Sequence, residues 1–251
     1  MSHLLQHALD LLYPPRCVHC HRTGSVFCAS CLDQIHSYDC PWCSHCGRPL
    51  ERQRGDWASC ATCDHENLSR ALAGIWAVAV YEGSVRSAVI ALKFQRQRRV
   101  AEPLGKLLAE GILRWGISLD LIVPVPLHIR RFRERGYNQS ELLARNCAHF
   151  LRLPVENEVL QRVRATRPQT GLTASDRRQN VQRAFAITPS AERIAGKRIL
   201  LIDDVTTTGS TLEAAAQALR AAHPSGIWAA TVSRPDLQHD QSGQQPEVDI
   251  R

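Results

Sequence analysis

Apolar runs alternate with segments of helical periodicity along the chain after residue 70. Short continuous apolar runs predict buried strands, whereas apolar residues three and four positions apart predict amphipathic helices. On this basis we predict strands over residues 75–81, 121–125, 198–202 and 227–233. We predict helices over residues 84–94, 102–115, 139–151 and 211–222. Strands that alternate with helices indicate an α/β fold in which helices cover both faces of a mostly parallel sheet.

The first 70 residues lack this periodicity and are rich in cysteine, histidine and turn residues. Such a segment cannot build a core from side chains alone, so we expect bound metal to stabilise it. At its start, LLQHALDLLYPP predicts a short amphipathic helix that Pro14 and Pro15 end. We divide the chain into a Cys-rich domain over residues 1–70, an α/β domain over 71–235 and a polar, disordered tail over 236–251.

Nine of the ten cysteines lie in the Cys-rich segment, and eight of them form pairs with two intervening residues. Two facing pairs offer the four thiolates of a closed tetrahedral site, so we predict structural rather than catalytic zinc. Cys40 has the same spacing to Cys43, which leaves the ligand set of the second site open. The predicted zinc ligands are Cys17, Cys20, Cys28, Cys31, Cys43, Cys46, Cys60 and Cys63.

Composition narrows the class of protein. The 251 residues include 31 Lys and Arg against 24 Asp and Glu, a formal net charge of +7. A hydrophobic content of 44% is too high for a disordered chain, and no stretch is long and uncharged enough to span a bilayer. The N-terminus lacks the basic region and the apolar run of a secretory signal. We therefore expect a cytoplasmic protein whose cysteines bind metal.

The most informative stretch is RILLIDDVTTTGST, over residues 198–211. Asp203 and Asp204 follow the predicted strand, and at a strand end both side chains can reach the crevice beyond the sheet. The next amides and hydroxyls lie at the N-terminus of a predicted helix, where they form an anion nest. Together these groups predict a site for a pentose 5-phosphate. The predicted phosphate-binding residues are Thr206, Thr207, Thr208, Gly209, Ser210 and Thr211.

These residues resemble the phosphoribosyl-diphosphate signature of type I phosphoribosyltransferases, and the chain from Cys17 to Pro235 resembles the ComF/GntX family. The resemblance also rests on ALKFQRQRRVAEPLG, VPVPLHIRRFRERGYNQSELLAR and RVRATRPQTGLTASDRRQNVQRAF. It implies a parallel-sheet, type I phosphoribosyltransferase-like domain preceded by a double zinc ribbon. It further implies that phosphoribosyl diphosphate binds with Mg²⁺, and that Asp203 and Asp204 accept hydrogen bonds from the ribose hydroxyls.

Two basic segments acquire roles from the same resemblance. In the phosphoribosyltransferase fold, the loop after the second predicted strand holds pyrophosphate, so residues 127–130 are the candidate loop and Arg130 would steady the leaving group. A solvated basic loop is the alternative. Residues 162–183 lie where related enzymes carry a flexible lid that excludes water.

The basic residues are also typical of a groove that binds single-stranded DNA. Phe94, Phe132 and Tyr137 are candidates to stack on bases, although core packing is the favoured interpretation for both phenylalanines. The sequence does not separate a DNA groove from a lid. The predicted nucleic-acid contacts outside the lid segment are Lys93, Arg96, Arg98 and Arg99.

Membership of the ComF/GntX family would imply a role in natural transformation and in the use of incoming DNA, with DNA-uptake or recombination proteins as partners. Three functions stay open. The protein is a DNA or protein binder that holds phosphoribosyl diphosphate, a phosphoribosyltransferase on an unidentified acceptor, or a ligand-sensing regulator without turnover. No residue in the sequence is an obvious base for an acceptor.

Overall fold

A four-stranded parallel sheet forms the centre of the structure, which is a computed structural model that describes residues 10, 13–37, 43, 71–165 and 183–235. The sheet has the order β1-β6-β5-β2, and a separate antiparallel pair joins β3 to β4. The strands are β1 (Gly74–Val80), β2 (Leu121–Pro124), β3 (Leu160–Arg162), β4 (Phe185–Ile187), β5 (Arg198–Val205) and β6 (Gly226–Arg234).

Helices cover both faces of this sheet, as the alternation of elements predicts. The α-helices among the described residues are α1 (Ala29–Asp33), α2 (Gly83–Phe94), α3 (Ala101–Arg114), α4 (Ile129–Arg135), α5 (Gln139–Leu151) and α6 (Ser210–Leu219), of which α2, α3, α5 and α6 pack on the sheet. Among the residues that the structure describes, no helix combines the length and the apolar character that crossing a membrane requires.

The central strand β5 explains why the core has two halves. Leu200 and Ile202 pack with α2, α3 and α5 on one face, whereas Ile199 and Leu201 pack with α6 and the β3–β4 pair on the other. Successive strand side chains point to opposite faces, so a strand that is apolar at every position is buried on both sides. The expectation of an α/β sheet covered on both faces is confirmed.

Three local predictions differ from the structure. Strand β5 continues through Val205 and therefore includes both aspartates. The loop predicted over residues 127–130 is wrong from Ile129 onward, because α4 begins there. The β3–β4 pair has no counterpart among the predicted strands. The predicted N-terminal helix outside residues 10 and 13–15, the lid between residues 166 and 182, and the predicted disordered tail lie outside the described residues.

The first cysteine pairs pack directly against the α/β domain. The Val80 amide donates to the His36 carbonyl at 3.0 Å, and Ser37 bridges to Ala79, so this segment covers the outer edge of β1. The Ser84 hydroxyl, in the first turn of α2, donates to the Cys31 carbonyl at 2.8 Å. Helix α2 is thus joined to the cysteine segment at its N-terminus.

Candidate functional site

The sulfur atoms of Cys17, Cys20, Cys28 and Cys31 all lie within 4.8 Å of one another. Two of their separations are 3.8 Å, between Cys17 and Cys31, and 3.6 Å, between Cys20 and Cys28. A tetrahedral zinc ion with Zn–S bonds of about 2.3 Å requires sulfur atoms roughly 3.8 Å apart. The cluster therefore fits a structural Zn²⁺ with no open coordination position.

Backbone groups around Cys17 favour the thiolate that such a site requires. Burial alone would raise the pKa of the Cys17 thiol, but the backbone amides of Cys28, Cys20 and His19 outweigh burial and lower that pKa to about 6. Zinc binds the deprotonated thiol, so the same amides stabilise the metal-bound form. Of the second predicted shell, Cys43 is buried, and Cys46, Cys60, Cys63 and the extra Cys40 lie outside the described residues.

Asp203 and Asp204 lie at the carboxyl end of β5, which is where ligands bind in open α/β sheets. Both residues are within the strand, because Asp203 pairs with Thr231 and Val205 with Ser233. Their side chains therefore leave the strand on opposite faces. Asp203 is only partly buried, whereas Asp204 is 3% exposed. The two carboxylates therefore differ in exposure, and the expectation that both reach into one crevice stays a prediction.

Helix α5 positions the more accessible carboxylate. Asn138, the N-cap of α5, accepts from the Ser140 amide and donates through Nδ2 to the Val125 carbonyl at 3.0 Å, so the start of α5 is fixed beside the end of β2. The Ser140 hydroxyl then donates to Asp203 Oδ1 at 2.8 Å, and the Asp204 amide donates to the same oxygen at 2.9 Å. The second oxygen of Asp203 accepts no hydrogen bond within the described residues.

Burial raises the pKa of Asp203 to about 6, and the negative charge of Asp204 acts in the same direction. The Ser140 hydroxyl, the Lys93 ammonium and the Asp204 amide oppose this shift and keep it moderate. Desolvation penalises the ionised carboxylate more than its few donors stabilise it. Asp203 therefore ionises close to neutral pH in the free protein.

We expect Asp203→Asn to unfold at a higher temperature than the wild type at neutral pH. The folded state binds the Asp203 proton more tightly than the unfolded chain, so the wild type loses stability as the pH rises from about 4 to about 6. Two pKa units correspond to roughly 3 kcal/mol, and asparagine retains an oxygen for Ser140 and the Asp204 amide. Calorimetry would find an advantage that shrinks toward pH 4. An equal advantage at both pH values would contradict this account.

Asp204 is held on the opposite side by α2. Its Oδ1 accepts from the Val205 amide at 2.7 Å and lies 3.0 Å from the Lys93 ammonium. Its Oδ2 is buried and has no hydrogen-bond partner among the residues that the structure describes. The Asp204 carboxylate therefore combines a buried ion pair with an oxygen that lacks a donor.

The loop between β5 and α6, which the sequence predicts to bind a phosphate, leaves several backbone amides without a partner among the described residues. The Thr206 amide is bound to the Ser233 carbonyl, but within the described residues the amides of Thr207, Thr208 and Gly209 make no hydrogen bond. Gly209 has φ +77° and a Cβ there would lie 2.7 Å from the side chain of Ile75, so only glycine fits this turn. Three amides beside the N-terminus of α6 are therefore available to a phosphate.

A buried arginine, Arg234, stabilises the loop between β5 and α6. Arg234, at the end of β6, is 1% exposed, and its Nη2 donates to the Thr207 carbonyl at 2.8 Å. The Thr208 and Ser210 hydroxyls contact each other at 2.7 Å on the other side of the turn. The loop is thus fixed by side chains before any ligand binds, which lowers the entropic cost of binding.

Arg135 and Arg162 both interact electrostatically with the carboxylate pair. Burial lowers the pKa of both guanidinium groups, while Asp203 opposes this effect on each of them and Asp204 on Arg135. Arg130 instead lies exposed in the first turn of α4, where it forms an ion pair with Glu134 at 3.2 Å. Arg130 is the arginine that the sequence predicts for the leaving group, but four arginines lie within residues 130–135 and no local signal separates one from another.

The predicted nucleic-acid contacts divide into two groups. Lys93 is paired with Asp204, and Arg99 forms two hydrogen bonds of 2.7 Å with the carboxylate of Asp10. Arg96 is exposed at the surface, and Arg98 donates to the Gly136 carbonyl at 3.2 Å and lies over the Tyr137 ring. Only the second group therefore leaves its charge on the surface without a carboxylate partner among the described residues.

The aromatic candidates also behave differently from one another. Phe94 is 47% exposed and Phe132 is 41% exposed, so the favoured interpretation of core packing is wrong for both. Tyr137 is buried, and its hydroxyl donates to the Leu92 carbonyl, so this ring is not available to a base. Arg135 lies over the Phe94 ring, which brings the end of α2 close to the end of α4.

Two family models match the chain. Residues 8–65 match the double zinc ribbon domain, and residues 147–247 match the phosphoribosyl transferase domain.

The chain is also similar to several curated proteins. Competence protein F of Haemophilus influenzae is 35% identical over 219 residues, which cover 82% of this chain and 90% of that protein. DNA utilization protein YhgH of Escherichia coli K12 is 32% identical over 209 residues, 81% of this chain and 82% of that protein. Competence protein ComFC of Bacillus subtilis is 36% identical over 103 residues, 39% of this chain and 38% of that protein.

Among solved structures, glutamine phosphoribosylpyrophosphate amidotransferase from B. subtilis, complexed with ADP and GMP, has a TM-score of 0.40 and 20% sequence identity. The alignment covers 58% of this chain and 30% of that one.

Proposed function

Because the chain belongs to the ComF/GntX family of competence protein F, we propose that it binds phosphoribosyl diphosphate with Mg²⁺ and serves the use of incoming DNA. One observation carries the proposal. The partly buried carboxylate of Asp203 and the unbonded amides of Thr207, Thr208 and Gly209 lie at the two ends of one short segment. Sugar hydroxyls suit the carboxylate and a phosphate suits the amides.

Each part of the ligand then has a partner in this chain. The ribose hydroxyls donate to Asp203 and Asp204, and the 5-phosphate accepts from the segment between Thr206 and Thr211. We assign the diphosphate to Arg135 and Arg162 rather than to Arg130, because these two side chains interact with the carboxylates and Arg130 is paired with Glu134. Mg²⁺ bound with the ligand beside Asp203 and Asp204 would offset the negative charge of the diphosphate.

A phosphoribosyltransferase activity is the second candidate. Departure of diphosphate leaves cationic character at the ribose C1, and the adjacent carboxylates would stabilise it, while Arg135 and Arg162 would stabilise the leaving group. Two adjacent carboxylates that interact with the partly buried cations Arg135 and Arg162 favour this chemistry. The acceptor is not specified by any described residue.

A pyrophosphate-release assay separates the two candidates. Zinc-loaded protein with phosphoribosyl diphosphate and Mg²⁺ is tested against nucleobases, amines and single-stranded DNA. Release that depends on one acceptor and is lost in Asp203→Ala would establish a transferase. Ligand binding without release would leave a binding or sensing role.

We place the protein in the cytoplasm, since zinc-bound thiolates persist in a reducing compartment.

We assign DNA contacts to a basic-aromatic surface around α4. No residue of this helix is buried. Arg98 bonds to Gly136, whose amide donates to the Phe132 carbonyl, so these groups are neighbours. Exposed rings beside exposed guanidinium groups suit the stacked bases and the phosphates of a single strand. The surface consists of Phe94, Arg96, Arg98, Ile129, Arg131, Phe132 and Arg133.

Two variants test this surface. Phe132→Ala is expected to weaken binding of a single-stranded oligonucleotide by roughly tenfold at every salt concentration, because it removes a stacking ring.

Replacing Arg131 and Arg133 together by alanine is expected to reduce the slope of log affinity against log salt by about 1.4. Phe150→Ala, which removes a ring that is 43% exposed on α5, is the matched control. Wild-type affinity that is independent of salt would refute the assignment.

A further inference from the structure

The ion pair between Lys93 and Asp204 leaves part of the carboxylate unsatisfied. Lys93 Nζ lies 3.0 Å from Oδ1, which also accepts from the Val205 amide at 2.7 Å. Oδ2 is buried and receives no donor from the described residues. Because a buried charged oxygen without a donor is costly, this geometry is typical of a site that a ligand completes.

Lys93 is more exposed to solvent than the carboxylate that it contacts. Asp204 as a whole is 3% exposed, whereas the Lys93 side chain is 22% exposed and is therefore in contact with solvent. Lys93 is the penultimate residue of α2, and the next side chain, Phe94, is exposed. A flexible four-carbon stem with a compact charge can change partner while its backbone stays in place.

The charges around the site provide an alternative partner for this lysine. In the free protein Lys93 is paired with Asp204, while Arg135 interacts with both carboxylates and Arg162 interacts with Asp203. A diphosphate brings several negative charges into this group of cations, and a ribose brings hydroxyl donors for a carboxylate oxygen. If Lys93 moves to the diphosphate, its ammonium group gains a new anionic partner, and the unsatisfied oxygen of Asp204 can accept a hydrogen bond from a ribose hydroxyl.

We propose that Lys93 is a displaceable counter-ion, which holds Asp204 in the free protein and moves to the ligand diphosphate when the ribose hydroxyls take its place. This inference rests on the proposed function and deepens it. It also assigns Lys93 to the ligand site rather than to a DNA contact.

The test compares two ligands on Lys93→Met. Ribose 5-phosphate offers the hydroxyls and the 5-phosphate but no diphosphate, whereas phosphoribosyl diphosphate with Mg²⁺ offers all three. Removing the lysine is expected to leave the affinity for ribose 5-phosphate unchanged or higher, because Asp204 is no longer occupied. The affinity for phosphoribosyl diphosphate is expected to fall by about tenfold or more, because a charged contact to the diphosphate is lost.

Controls separate this outcome from a general loss of structure. Lys106→Met removes an exposed lysine that pairs only with Glu110, and it should change neither affinity. Lys93→Arg retains the cation and should recover part of the diphosphate binding. Titrations are made on protein whose thermal unfolding shows that it is folded.

The outcomes are distinct. A parallel fall in both affinities would show that Lys93 only supports the fold of the site, and it would overturn the counter-ion proposal while leaving the proposed function intact. An unchanged affinity for phosphoribosyl diphosphate would overturn it as well. A folded wild-type protein that binds neither ligand would contradict the proposed function itself.

Discussion

We expect Cys17→Ser to remove one zinc ion per chain and to lower the melting temperature by roughly 10 °C or more. Metal–thiolate binding energy is folding energy for a segment that has no core of its own, and a loss of about 3 kcal/mol corresponds to such a shift in a chain of this size. Cys17, Cys28 and Cys31 are buried in the same apolar cluster as the side chains of α2. The damage should therefore extend beyond the cysteine segment.

The same variant is expected to weaken ligand binding at a distance. The Cys31 carbonyl fixes the first turn of α2 through Ser84, and the last turn of α2 carries Lys93 at the carboxylate pair. A helix that loses its support at one end positions its other end less well. The measurements are zinc content, calorimetry and ligand affinity on the same sample.

Cys147→Ala is the matched control for this prediction. Cys147 is also fully buried, but it lies in α5 outside the cysteine cluster, and burial raises the pKa of its thiol to about 12. This change should lower the melting temperature through lost packing without altering zinc content. If Cys17→Ser kept the zinc content and melting temperature of the wild type, the structural role of the cluster would be wrong.

Asp203→Ala is expected to remove most of the stabilisation that phosphoribosyl diphosphate gives to the folded protein, leaving about 0.4 kcal/mol at the same ligand concentration. A ligand that binds only the folded state at about one hundred times its dissociation constant stabilises it by about 2.7 kcal/mol. Loss of a carboxylate that accepts a ribose hydroxyl leaves that hydroxyl without its partner, and the affinity should fall by roughly one hundredfold. Thermal unfolding with and without the ligand and Mg²⁺ measures the difference.

Glu110→Ala controls for the loss of one negative charge. Glu110 is exposed on α3 and contacts Lys106 at 3.8 Å, so its removal should leave the ligand-induced shift unchanged. Asp203→Asn adds a second comparison, because it is expected to stabilise the free protein and still to bind the ligand less well. An Asp203→Ala protein that keeps the full shift would assign the ligand to another site.

The sequence predicts the elements of the fold whose residue pattern is determined by burial in the core. The run from Ile199 to Ile202 is apolar at every position because both faces of β5 are covered there, and this pattern has few other interpretations. The spacing of Cys17, Cys20, Cys28 and Cys31 likewise predicted one closed metal site, because two residues between thiolates let both reach one ion.

The geometry of the carboxylate pair could not be predicted in the same way. Whether Asp203 and Asp204 share a crevice depends on where β5 ends, and the strand end is set by pairing with Thr231 and Ser233 on β6. Lys93 lies 111 positions earlier in the chain, and no local pattern connects it with Asp204. Such a contact follows only from the packing of α2 against the sheet.

Helix α4 was missed for a different reason. Its residues IRRFRER carry no apolar stripe, because the helix buries none of them. Local signals were nevertheless present. His128 caps the helix by accepting from the Arg130 amide, and Gly136 ends it with φ +80°. A prediction based on these capping residues, rather than on hydrophobic periodicity, would have identified the helix.

The most direct test of the ligand site is a calorimetric titration of folded, zinc-loaded wild-type protein with phosphoribosyl diphosphate and Mg²⁺. The account predicts one binding event with a stoichiometry close to one ligand per chain, which Asp203→Ala loses and Glu110→Ala keeps. No binding at ligand concentrations up to about 1 mM would contradict the account, because the loop and the carboxylate would then not form a phosphoribosyl site.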